Sequence, residues 1–164
     1  MATKEEYNAF LEGIRKQTGL DMMVPDGFGM VNLHVQDEYD AHLQFIEKTG
    51  KILCFVELMA LTKDAGKEVY RDLLAGGLFG VDTAGGYFSL ETASETVIYN
   101  YLFDFDKVAA SPEVFIETFE NIIALMDVWK TRIQEKLTSQ GDSSGELLSD
   151  NSFQAGGNGF IIQP

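Results

Sequence analysis

One cysteine, three prolines and two histidines are few for a chain of 164 residues. The lone Cys54 excludes an intramolecular disulfide and a zinc site caged by thiolates. Its neighbours Leu53 and Phe55 are apolar, so it reads as a small buried hydrophobe rather than a nucleophile. Basic residues are scarce: 12 Lys and Arg against 26 Asp and Glu leave a net charge of −14. Binding to nucleic acid or to an anionic membrane needs the opposite sign, so neither partner is expected. Long hydrophobic runs are also lacking. The longest, residues 52–61, is interrupted by Glu57 and is about half the length needed to span a bilayer. The start, Met1 to Glu6, has neither the basic residues nor the apolar stretch of a signal peptide. A cytoplasmic protein is expected.

What is present suffices for one core. Apolar residues make up 45% of the chain and aromatics 12%, unlike a disordered sequence. The acidic surface keeps such a chain soluble while it exposes apolar patches, and it favours basic partners.

Residues 3–17 read as a first helix, opened by a capping box of Thr3 and Glu6. Tyr7, Phe10, Leu11 and Ile14 form its apolar stripe, and Gly19 stops it. Three strands follow, at 28–36, 40–48 and 51–61. A two-residue turn at Thr49-Gly50 predicts that Lys48 pairs with Lys51. That register puts Val31, Leu33, Val35, Ala41, Leu43, Phe45, Cys54, Val56 and Leu58 on one wholly apolar face, which must meet helices. The other face is mixed. It carries Met30, Asn32, His34, His42, Gln44, Ile46, Leu53, Phe55 and Glu57, with Phe28 and Met59 extending its apolar edge. That apolar strip is either an interface or a surface covered by the protein's own linker or tail.

A shorter helix is expected at 64–78, weakened near its end by Gly76-Gly77, then strands at 86–91 and 96–105. Ser111 as N-cap and Pro112 at the first helical position open the last helix, whose apolar repeat runs from Phe115 through Trp129 to Leu137. The fold class is therefore α+β, an antiparallel sheet with helices in the order α-β-β-β-α-β-β-α. The domain spans residues 1–138. Residues 139–164 form an acidic Gly/Ser-rich tail, predicted to be flexible.

Four constellations touch on catalysis or ligand binding. His34, His42 and Glu57 fall in one row by the expected register and could ligate iron or zinc, the metalloenzyme alternative. Gly141-Asp142-Ser143-Ser144-Gly145 matches a nucleophile elbow, but no histidine follows it. The glycines at 76–80 and 85–86 lack the lysine and helix start of a phosphate loop. Asp104 and Asp106 read as turn acids. No catalytic residue, metal or cofactor is assigned, and an enzyme is not expected. A small-molecule-binding or regulatory α+β domain is a further alternative.

Asp72-Leu73-Leu74-Ala75-Gly76-Gly77-Leu78-Phe79-Gly80 resembles the end of the second helix in class I type III secretion chaperones, the Tir-chaperone family. Thr83-Ala84-Gly85-Gly86-Tyr87-Phe88-Ser89-Leu90 is similar to that family's fourth strand. Phe103-Asp104-Phe105-Asp106 and the helix through Trp129 are similar to its fifth strand and last helix. The resemblance implies a homodimer that binds the N-terminal segment of a secreted effector in extended form and keeps it competent for secretion. It further implies delivery to the secretion apparatus, with that apparatus's ATPase as a potential partner and no ATP hydrolysis by the chaperone. Carried over residue by residue, the effector contacts fall on Phe10, Ile14, Phe28, Met30, Ile46, Leu53, Phe55 and Met59. The dimer contacts fall on Leu73, Leu74, Leu78, Phe79 and Tyr101.

Overall fold

The computed structural model describes residues 2–145, and its first element starts at the capping box. Thr3 Oγ1 accepts the Glu6 N–H at 3.2 Å, while the Thr3 N–H donates to Glu6 Oε2 at 2.8 Å. Satisfying orphan donors this way is worth about 1 kcal/mol to a helix start. α1 runs Lys4–Thr18 and ends where Gly19, at φ 71°, donates its N–H to the Arg15 carbonyl. Glycine adopts that left-handed conformation without a Cβ penalty.

Strands β1 (Met30–Val35), β2 (Tyr39–Ile46) and β3 (Lys51–Ala60) form a meander. α2 (Lys67–Gly76) and a single 3-10 turn (Leu78–Gly80) follow. β4 (Tyr87–Glu91) and β5 (Thr96–Asp104) complete an antiparallel five-stranded sheet in the order β1-β2-β3-β5-β4. The expected α+β order holds, with one helix added before the last. α3 (Phe105–Ala110) exists because the Asp104 carboxylate accepts the Lys107 N–H at 3.4 Å and caps it. An Asp-Phe-Asp sequence that reads as the end of a strand thus begins a helix. Ser111 closes α3, and α4 (Pro112–Gly145) continues past position 138, so the Gly141 to Gly145 motif lies on a helix. Phe160-Ile161-Ile162 and the rest of the expected tail from 146 onward lie outside the described residues.

Both hairpins pair two residues away from the expected register. Ile46, not Lys48, faces Lys51, so residues 47–50 form the turn, and Val31 faces Leu43 rather than Phe45. A slip of two preserves which face each side chain occupies, whereas a slip of one would have inverted the sheet. The core rows are therefore Val31, Leu43, Cys54 and Tyr101, then Leu33, Ala41, Val56, Tyr99 and Phe88. α1 lies over one end of this face, with Tyr7 stacked on Phe45 at 5.1 Å and Phe10 edge-on to Phe105 and Phe115.

Trp129 of α4 holds the other end. Its Nε1 donates to the Asp82 carbonyl at 3.0 Å, Phe88 meets its ring at 4.8 Å, and the Arg132 guanidinium lies 4.6 Å above it. Arg132 also makes a two-pronged ion pair with Asp72 of α2. α2 approaches so closely that a Cβ on Gly76 would sit 2.2 Å from Trp129 Cη2. Gly76 is thus a required contact and not merely a flexible helix end. Gly76→Ala should overpack this junction by about 1–3 kcal/mol and lower the melting temperature by roughly 5–10 °C. Gly77→Ala, whose Cβ would find its nearest neighbour at 3.5 Å, should leave it unchanged or raise it. Thermal denaturation followed by circular dichroism compares the two. Equal melting temperatures would contradict the α2–α4 packing.

Candidate functional site

The buried residues of α1, α2 and α4 pack on the Val31 and Leu33 side of the sheet. Among the described residues, no helix covers the other side. Its rows run across the strands by register: Met30, Gln44, Leu53 and Leu102, then Asn32, His42, Phe55, Asn100 and Tyr87. Ile98 stands opposite Glu57 and Ser89 in the next row. Met30, Leu53, Phe55 and Ile98 are partly exposed, and Leu102 is 48% exposed. An apolar strip with amide and imidazole neighbours therefore faces outward on a rigid five-stranded platform.

The polar groups on this face serve one another. His42 stacks on Phe55 at 4.6 Å with 22° between the planes. Its Nδ1 lies 2.7 Å from Asn32 Oδ1, an acceptor, so Nδ1 carries the hydrogen and donates. His42 Nε2 is buried without a hydrogen bond, 3.6 Å from Glu57. His34 instead contacts Asp40 at 2.9 Å. The expected row of His34, His42 and Glu57 does not form, because the two-residue slip sets His34 opposite Asp40 and His42 opposite Phe55. Among the described residues, no group of three or more His, Cys, Asp or Glu side chains is placed to hold a metal ion. Cys54 is fully buried, and burial pushes its thiol up to about 12, which removes the thiolate needed for reactivity.

The structure divides the sequence-predicted contact residues into those it exposes and those it buries. Met30, Ile46, Leu53 and Phe55 lie on the open face. Phe28 projects from a turn whose Asp26 carboxylate accepts the Phe28 and Met30 N–H groups at 2.8 and 3.0 Å. Phe10 and Ile14 are largely buried, because they belong to the one apolar stripe α1 has to turn toward the sheet, and each borders a cavity beside that helix. Met59 is corrected: a bulge between Glu57 and Met59 shifts the register and packs Met59 against the core. The missing members of the face are Ile98, Leu102 and Tyr87. The alternation of Ile98 and Leu102 with Val97, Tyr99 and Tyr101 is visible in the sequence, but only the distant pairing of β3 with β5 joins them to Leu53 and Phe55, and Tyr87 joins through the pairing of β4 with β5.

A second apolar surface lies around α2. Leu74 is 78% exposed, Leu78 62% and Phe79 91%. Phe79 holds φ 58°, a conformation that costs a bulky residue about 1 kcal/mol or more. Leu73 is buried and Tyr101 packs edge-on to Phe103 at 4.8 Å, so both also contribute to the chain's own core. A cavity of about 190 Å³ opens beside Leu74, lined by Tyr70, Phe88, Leu90 and Val97.

The model of the Tir chaperone protein (CesT) family matches residues 9–130. The fold is similar to that of the ExsC-ExsE complex, with TM-score 0.67 and 17% identity over 80% of this chain and 96% of that one. The HopA1-SchA chaperone-effector complex is similar at TM-score 0.61 and 18% identity, covering 80% of this chain and 95% of that one. The Yersinia pestis type III secretion chaperone SycH, in complex with a stable fragment of YscM2, follows at TM-score 0.53 and 16% identity, covering 73% of this chain and 98% of that one. Comparison with curated proteins finds no match.

Proposed function

The chain belongs to the Tir chaperone protein (CesT) family, and from that premise we propose that it holds the N-terminal segment of a secreted effector, extended across the open face of its sheet. The observation that carries this reading is the uncovered strip of Met30, Leu53, Phe55 and Leu102 on five paired strands. An extended client presents apolar side chains at intervals of two residues, and a strip set between amides accepts them one row at a time. Nothing in this task needs a catalytic group. Rigid strands hold the strip in place, so binding orders mainly the client. Amide and imidazole neighbours, which can donate or accept, let it take clients of varied sequence.

The exposed Leu74, Leu78 and Phe79 support a homodimer, because an isologous contact would cover them on both copies. Cytoplasmic work and handover to the secretion apparatus and its ATPase are the reading that fits a chaperone of this family. The test is capture: the tagged chain expressed in a secreting host should retain effectors whose deletion of the N-terminal segment abolishes retention. Clients held equally well without that segment would overturn the proposal.

A further inference from the structure

The open sheet face has no occupant among the described residues, yet the chain carries a segment matched to it. The linker before β1 leaves the face open, with Met22, Val24 and Phe28 themselves turned to solvent. The surface around Leu74, Leu78 and Phe79, proposed above for a second copy, lies around α2, which packs on the other side of the sheet. Residues 146–164 remain. They follow α4 and lie outside the described residues.

Residues 151–164 contain no charged side chain, in a chain of which 23% is Asp, Glu, Lys or Arg. Such a segment can lie on an apolar strip flanked by the amides of Asn32, Gln44 and Asn100 without burying an unpaired charge. Within it, Phe160, Ile161 and Ile162 favour extended backbone, and alternation puts Phe160 and Ile162 on one side of such a strand. Gly156, Gly157 and Gly159 disfavour a helix before them. The reach is sufficient. Trp129 meets Phe88 of β4 at 4.8 Å, and from there to Gly145 α4 rises about 24 Å. The way back to the strip is that length plus one sheet layer of about 10 Å. From Gly145 to Phe160 the chain spans up to about 50 Å when extended.

We infer that residues 151–164 occupy the strip of Met30, Leu53, Phe55 and Leu102 while no client is bound, with Phe160 and Ile162 seated on it, and that the client displaces them. This rests on the reading of the open face as the client site. A tethered segment acts at an effective concentration of about 1 mM. With an intrinsic dissociation constant of about 0.1 mM it fills most of the strip and lowers the apparent client affinity about tenfold. It thus shields the apolar strip from weak, unspecific contacts. It yields to an effector segment that crosses more of the strands.

The test uses the full chain without client, carrying a photoreactive phenylalanine analogue at Leu102 and irradiated at submicromolar concentration. Peptide mapping by mass spectrometry should find position 102 joined to residues 151–164 in a product of single-chain mass. The same group at Val114, exposed near the start of α4, should not capture that segment. Phe160→Asp combined with Ile162→Asp should abolish the crosslink at an unchanged melting temperature and tighten binding of an effector's N-terminal segment about tenfold. No capture at 102, equal capture at 114, a product joining two chains, or a client affinity indifferent to the double substitution would each overturn the inference. The two readings fail separately. A segment captured at 102 that no effector displaces would sink the client site and leave the occupant standing. A client captured at 102 in a chain whose own segment is never found there would do the reverse.

Discussion

Phe55→Asp is expected to abolish client binding while shifting the melting temperature by only a few degrees, and Val56→Asp, one residue along, is expected to unfold the domain. Val56 is fully buried between Ala41 and Tyr99. An unpaired carboxylate there would cost about 4 kcal/mol or more, a large part of the stability of a domain this size. Phe55 is partly exposed on the open face, where its folded-state partners are the His42 ring and Asn100. Losing that stack should cost about 1 kcal/mol. A client laid over it would lose far more, since its apolar side chain would meet a desolvated charge. Denaturant titration and binding to an effector's N-terminal segment, measured on the same two variants, separate the effects. If both variants unfold alike, the outward face is core and the client must bind elsewhere.

Leu78→Asp combined with Phe79→Asp should convert a dimer into a folded monomer. These two residues and Leu74 are exposed in the single chain, and no residue described in the chain covers them. Each fully buried apolar side chain contributes about 1.5–3 kcal/mol, doubled by two-fold symmetry. Two charges per copy would therefore move a micromolar dimer well beyond reach of ordinary concentrations. Sedimentation equilibrium should give about twice the chain mass for the native protein and the single mass for the variant. A native monomer would refute the assembly, and a variant that stays dimeric would place the interface elsewhere. The left-handed Phe79 makes one detail testable. If its strain is relieved by contact with a second copy, Phe79→Gly should lose dimer affinity without losing monomer stability.

How far the sequence could be read depended on the range of the interaction. Up to the bulge after Glu57, alternation in β1 to β3 assigned the side chains to their faces even though both hairpins slip by two, because the pleat repeats every two residues. The capping box and Gly19 are local hydrogen-bond patterns and appear at the positions expected. Non-local packing was not legible. Nothing near Gly76 says that Trp129, 53 positions on, will press against it, nor does the alternation of β5 say that Leu102 stands beside Leu53. The metal row depended on a precise register, and the slip that left the faces intact took His34 away from His42. The bulge before Met59 and the cap at Asp104 are single-residue events with no periodic signature, so Met59 and α3 were misplaced. Phe10 and Ile14 carry a different lesson. A stripe that makes α1 amphipathic is turned mostly toward the chain's own core.

Site-specific photo-crosslinking addresses the central claim most directly. A photoreactive phenylalanine analogue at Leu102, half-exposed on the open sheet face, is compared with the same group at Val128, exposed on α4. In the complex with an effector's N-terminal segment, position 102 should crosslink to the client and position 128 should not. A client captured at 128, or none captured at 102 while the complex remains intact, would contradict an extended client lying across the sheet.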